Sequence, residues 1–147
     1  MPELFRSVVS RVRVYFKDRR KSPRLRVRLI FSVAINREGN GNGSSNRARA
    51  LQGHTRDLSE SGVALLVPQV HLDGHHLAAE GRELMVELQI GSGDPISMVV
   101  MPRRYERLEE AELGCAYLIG AHIVKIDEAD QARYLSFVRD GLESSQR

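Results

Sequence analysis

Apolar residues at the start of the chain recur with a helical period. Leu4, Phe5, Val8, Val9, Val12 and Phe16 fall at intervals of three and four, with Arg6, Ser7, Ser10, Arg11, Arg13 and Lys17 between them. That spacing predicts a short amphipathic helix over 1–17. Its apolar stripe needs cover, from the rest of the protein, from a second copy in a homodimer, or from an anionic membrane surface. Ser22-Pro23 ends the pattern, because the residue before a proline is pushed out of the α region. Beyond it the period becomes two. In "LRVRLIFSVAI", Leu25, Val27, Leu29, Phe31, Val33 and Ile35 share one face, and Arg24, Arg26, Arg28 and Ser32 the other. This is the alternation of a half-buried strand.

Further strand segments follow at roughly even spacing. One ends near Thr55, before "DLSESG" as a turn; the others are "VALLV" (63–67), "LMVELQI" (84–90), "ISMVVM" (96–101) and "AYLIGAHIVKI" (116–126). "GSGDP" joins two of them as a hairpin-type connection. The "GNGNGSSN" stretch (39–46) lacks the Lys-Ser/Thr ending of a phosphate-binding loop, so its glycines read as linker. A closing helix follows, with Asp127 as N-cap, Ala132, Leu135 and Val138 as buried stripe, and Gly141 as its stop. The pattern predicts an all-β-dominated fold: a six-stranded antiparallel β-barrel with an N-terminal helix and a C-terminal α-helix. The expected layout is a helix over 1–17, a barrel domain with its helix over 18–142, and a tail over 143–147.

Composition narrows the class. The 147 residues suit one domain with a real core. A single cysteine, Cys115, excludes an internal disulfide and a multi-cysteine zinc site. No apolar run approaches the ~18 residues of a membrane-spanning helix. Arg6, Arg11 and Arg13 interrupt any signal-peptide core, so a cytoplasmic location is expected. The net charge of +3 hides an asymmetry: residues 1–28 hold ten Lys/Arg against two acids, and the rest hold 12 against 17. A general nucleic-acid binder spreads positive charge over its binding face; here it sits at one end.

Six of the ten residues in "RRKSPRLRVR" (19–28) are basic, and within them Arg20 and Arg24 form an RxxxR. Pro23 keeps the pair off a common helix face. Each guanidinium is a planar fork of donors, suited to phosphate oxygens and to the O6/N7 edge of guanine. A second motif, DxSxxG, follows at Asp57, Ser59 and Gly62. Its bland reading is a turn, with Asp57 or Ser59 capping the backbone and Gly62 at a positive φ. Its functional reading complements the arginines. An aspartate accepts from guanine N1–H and N2–H, Ser59 donates or accepts beside it, and Gly62 lets a planar ligand approach the backbone.

The order of these segments, an "RRKSPR" arm leading into a strand, then "DLSESG", then "GAHIVKI" and a terminal helix, resembles the PilZ domain family. The resemblance covers roughly 17–142. It implies a six-stranded barrel that binds cyclic di-GMP as a receptor, without catalysis and without a cofactor, and passes the signal to a protein partner. Position by position, it implies ligand binding by Arg20 and Arg24 of the first motif and by Asp57, Ser59 and Gly62 of the second. Arg19 is implied as a further stacking or phosphate contact.

Other candidates carry less. His71, Asp73, His75 and His76 in "HLDGHH" have metal-ligand chemistry, but no fourth ligand or second cluster accompanies them, so a polar loop is expected. Glu106, Glu109, Glu110 and Glu112 read as a solvated hairpin tip. Two rival functions stay open on the residues alone. One is a small basic barrel for RNA or single-stranded DNA, disfavoured because aromatics for base stacking make up only 5% of the chain. The other is a protein-interaction module with a vestigial nucleotide site.

Overall fold

The structure is a computed structural model, and it describes residues 23–36 and 49–145. The expected N-terminal helix, the loop at 39–46, Arg19 and Arg20 lie outside the described residues. In chain order the strands are β1 (Leu25–Arg26), β2 (Ile30–Ile35), β3 (Leu51–Leu58), β4 (Gly62–Val67), β5 (His71–Leu72), β6 (His75–His76), β7 (Leu84–Leu88), β8 (Ile96–Glu112) and β9 (Cys115–Lys125). One helix, α1 (Glu128–Ser145), follows.

Each strand of the main sheet pairs antiparallel with its neighbours, in the order β3, β2, β7, β8, β9, β4. β4 then pairs back onto β3 and closes a barrel of six strands. The six expected strand segments are thus the six staves. Phe31, Val33, Leu58, Leu65, Val86, Met98, Val100 and Ile119 are among the buried residues that fill the barrel.

β1 and β2 run along the same edge of β3, Leu25 opposite Leu58 and Ile30 opposite His54. The alternation in 24–35 therefore identifies one strand, but the ladder is broken at 27–29. There one backbone bond remains, from the Thr55 N–H to the Leu29 carbonyl (2.8 Å), and the Thr55 side chain adds two more: its hydroxyl donates to the Val27 carbonyl (2.6 Å) and accepts from the Leu29 N–H (2.9 Å). β3 is irregular at the same level. Gly53 packs against the Phe31 ring and Leu58 also enters the core, although residues five apart in an unbroken strand face opposite sides. A bulge at Arg56, between the pairs Thr55–Leu65 and Asp57–Ala64, supplies the extra half-period. It leaves Leu58 inside and Asp57 outside.

β4 is buried on both faces, which is why "VALLV" shows no alternation. Val63, Leu65 and Val67 face the barrel interior, while Ala64 and Leu66 pack outside it with Cys115, Leu118 and Leu108 of the β8–β9 hairpin. β8 runs far beyond its expected end at Met101. Glu106, Glu109, Glu110 and Glu112 are exposed residues of this long strand rather than its tip. The tip is Leu113-Gly114, both at positive φ, as a two-residue hairpin turn of this hand requires.

Asp127 caps α1 as expected, its Oδ1 accepting from the Asp130 N–H (2.9 Å). The buried stripe differs from expectation. Ala132 is exposed, and Tyr134 and Val138 enter the core, with Leu135 and Phe137 half-buried beside them. Gly141 does not stop the helix, which continues to Ser145. A side chain at 141 would collide with Leu25 of β1, so this glycine buys close packing of helix on strand.

Candidate functional site

The two motifs, 33 residues apart in sequence, meet at one ion pair. Arg24 Nη1 lies 2.8 Å from Asp57 Oδ1. β1 brings Arg24 there: Arg26, two residues on, is directly opposite Asp57 in the ladder. The bulge at Arg56 turns Asp57 outward to meet it. The Asp57 side chain is only 13% exposed and that of Arg24 32%, so the pair stands at the barrel wall with one partly solvated end. Arg24 Nε is buried and has no partner among the described residues. An unmet donor of this kind favours any arrangement that supplies an acceptor.

The DxSxxG turn spans fewer residues than its sequence implied, since Asp57 and Leu58 belong to β3 and only Ser59-Glu60-Ser61 reverse the chain. Ser59 is 6% exposed and works inside the turn: its Oγ accepts from the Gly62 N–H (3.1 Å), and its own N–H donates to the Gly62 carbonyl (2.9 Å). Gly62 is not at a positive φ, contrary to the bland reading of the motif. Its reason is space. A Cβ there would stand 2.8 Å from the Ala121 carbonyl oxygen of β9. The backbone that approaches Gly62 closely is therefore the neighbouring strand.

Sequence reasoning missed Tyr134. Its side chain is 1% exposed and its hydroxyl donates to the Ser59 carbonyl (2.7 Å), with the Gly62 carbonyl also in reach at 3.1 Å. α1 thus holds the motif turn from inside, where burial, and secondarily the Asp57 charge, push the phenol well above its usual range. From outside, Arg139 donates to Glu60 Oε2 across 3.0 Å. The only sequence signal was a tyrosine four residues before a core valine on the same helix face.

Beside the ion pair lies an open cleft of about 280 Å³, lined by Arg26, Val27, Arg28, Thr55, Arg56, Leu66 and Glu112. The hairpin tip reaches this wall of the barrel, where the Glu112 carbonyl accepts from His54 Nε2 (3.1 Å).

The histidine stretch forms the short β5–β6 hairpin around Asp73-Gly74, with His71 and His76 in an edge-to-face contact at 4.9 Å. Among the described residues no group of three or more His, Cys, Asp or Glu is arranged to hold a metal ion. No described helix is long and apolar enough to cross a membrane.

A closed antiparallel barrel, with Arg24 ion-paired to Asp57 near the end of one stave and a C-terminal helix packed on it, defines a class of small barrel domain. The PilZ domain model matches residues 18–140, and the chain belongs to the PilZ domain family. Solved structures agree in fold. The PilZ domain of YcgR from Escherichia coli, with c-di-GMP, is similar at TM-score 0.62 and 11% identity, over 88% of this chain and 95% of that one. The inhibitor of motility MotI/DgrA of Bacillus subtilis is similar at TM-score 0.60 and 17% identity, over 88% and 53%. MrkH of K. pneumonia, in complex with c-di-GMP, is similar at 0.62 and 18%, over 88% and 55%. The chain thus spans about half the length of MotI/DgrA and MrkH. Comparison with curated protein sequences gives no match.

Proposed function

We propose that this protein is a non-enzymatic receptor for cyclic di-GMP. The observation that carries the reading is the Arg24–Asp57 pair, which joins an RxxxR arm to a DxSxxG turn at one point of the barrel wall. Asp57 orients the Arg24 guanidinium through Oδ1 and leaves Oδ2 for the Watson–Crick edge of a guanine. Arg24 offers its remaining donors to guanine O6/N7 or to a phosphate oxygen, and Arg19 and Arg20 on the preceding arm supply further phosphate contacts. Ser59 and Gly62 act mainly by shaping the turn, since both are already engaged within it. The signal leaves through α1. Tyr134 and Arg139 tie the turn to the helix, so a ligand that shifts the turn displaces α1 and the surface it presents to a protein partner.

A thermal-shift comparison of cyclic di-GMP with GTP and cyclic di-AMP tests the reading. The unfolding temperature should rise with cyclic di-GMP alone, because a ligand that binds only the folded state stabilises it by mass action. Equal shifts with all three nucleotides, or none with cyclic di-GMP, would sink it.

A further inference from the structure

The cleft next to the ion pair is a basic recess whose lining includes neither Arg24 nor Asp57. It exists because two irregularities coincide: the broken ladder at 27–29 and the bulge at Arg56. Arg26 and Arg28 alternate outward from the β1–β2 edge, and the bulge brings Arg56 to the same cleft. None of these three arginines makes an ion pair with an acid among the described residues, in contrast to Arg24, which Asp57 neutralises. Among the described residues Glu112 is the one acid lining the cleft, which leaves three positive charges against one negative. Like charges gathered around a recess repel one another, and an anion between them relieves that repulsion while accepting from several planar forks.

We propose that Arg26, Arg28 and Arg56 form a second anion-binding pocket, specific for phosphate groups. The volume of about 280 Å³ lies at the bottom of the range of small-molecule sites, so it admits a phosphate or a single nucleotide-sized fragment. Half-buried Val27 in the lining offers an apolar contact to a sugar or base edge attached to that phosphate. Glu112 sets the affinity from the opposite wall by repelling the anion. The phosphate comes either from a cyclic dinucleotide seated at Arg24–Asp57, whose second phosphate reaches across, or from a separate small phosphate compound.

The test titrates the full chain with inorganic pyrophosphate and with cyclic di-GMP, by calorimetry at constant ionic strength. Arg28→Ala and Arg56→Ala should each weaken pyrophosphate binding tenfold or more, and Glu112→Gln should strengthen it several-fold. Opposite signs from neighbouring residues are the mark of a charge-selective pocket, which a merely structural role would not give. Asp57→Ala should leave pyrophosphate binding unchanged or tighter, so the pocket stands or falls apart from the cyclic di-GMP site. If the arginine variants also weaken cyclic di-GMP, the phosphate is the dinucleotide's own; if they spare it, the pocket serves a separate compound. Absence of pyrophosphate binding, or binding indifferent to Arg28, Arg56 and Glu112, overturns the proposal.

Discussion

Replacing Tyr134 with alanine should cost about 3–5 kcal/mol of stability, the range for deleting a buried aromatic side chain. For a chain of this length that lowers the unfolding temperature by on the order of 10 °C. The ring is wholly buried among core residues, and its hydroxyl is the donor that reaches the Ser59 carbonyl at 2.7 Å. Tyr134→Phe keeps the ring and loses that bond, at about 1–3 kcal/mol for leaving a buried acceptor unmet. The same phenol makes stability fall at high pH. Its folded-state pKa is raised, so the unfolded chain ionises first, and the stabilisation present below pH ~10 is lost as pH climbs beyond it. Chemical denaturation of both variants between neutral pH and pH ~11 checks this: the part of the alkaline loss that belongs to Tyr134 should vanish in Tyr134→Phe. An alanine variant as stable as the parent would mean α1 does not hold the turn.

Breaking the Arg24–Asp57 pair should act on binding far more than on folding. Each charge-assisted hydrogen bond lost is worth about 1.5–3 kcal/mol, so Arg24→Ala or Asp57→Ala should weaken cyclic di-GMP roughly ten- to a hundredfold. The pair itself is partly solvated, and its loss should lower stability by about 1 kcal/mol or less. Because Asp57 works in part by aiming Arg24, the double variant should lose less than the two single losses combined. Strictly additive losses would show that the two residues act independently. Affinity should also drop as salt is raised, since phosphate contacts are screened.

What the sequence revealed and what it hid have physical reasons. Alternation from Leu25 to Ile35 disclosed a stave of the barrel, because one wet and one dry face impose a period of two. The gap at 27–29 left no trace, since it is filled by the Thr55 hydroxyl from another strand. Asp57 was legible as half of a motif but not as a strand residue, because a bulge depends on how β3 meets β4 and not on local composition. Ser59 and Gly62 are legible as expected ligand contacts; the hydrogen bond between them in the turn and the approach of Ala121 to Gly62 arise only once the barrel closes. On α1 the stripe through Ala132 gave way to Tyr134, a residue whose polar end finds its acceptors 75 and 72 positions earlier. Gly141 carries the same message: a glycine read as a helix stop serves a helix–strand contact instead.

The most direct measurement maps backbone amide NMR shifts of the full chain during a cyclic di-GMP titration. The largest saturable changes should fall on Arg24–Arg26 and Asp57–Gly62, with smaller ones along the Tyr134–Arg139 turn of α1. Saturable binding that leaves Arg24 and Asp57–Gly62 unmoved, with its changes elsewhere on the barrel, would contradict the assignment of the site.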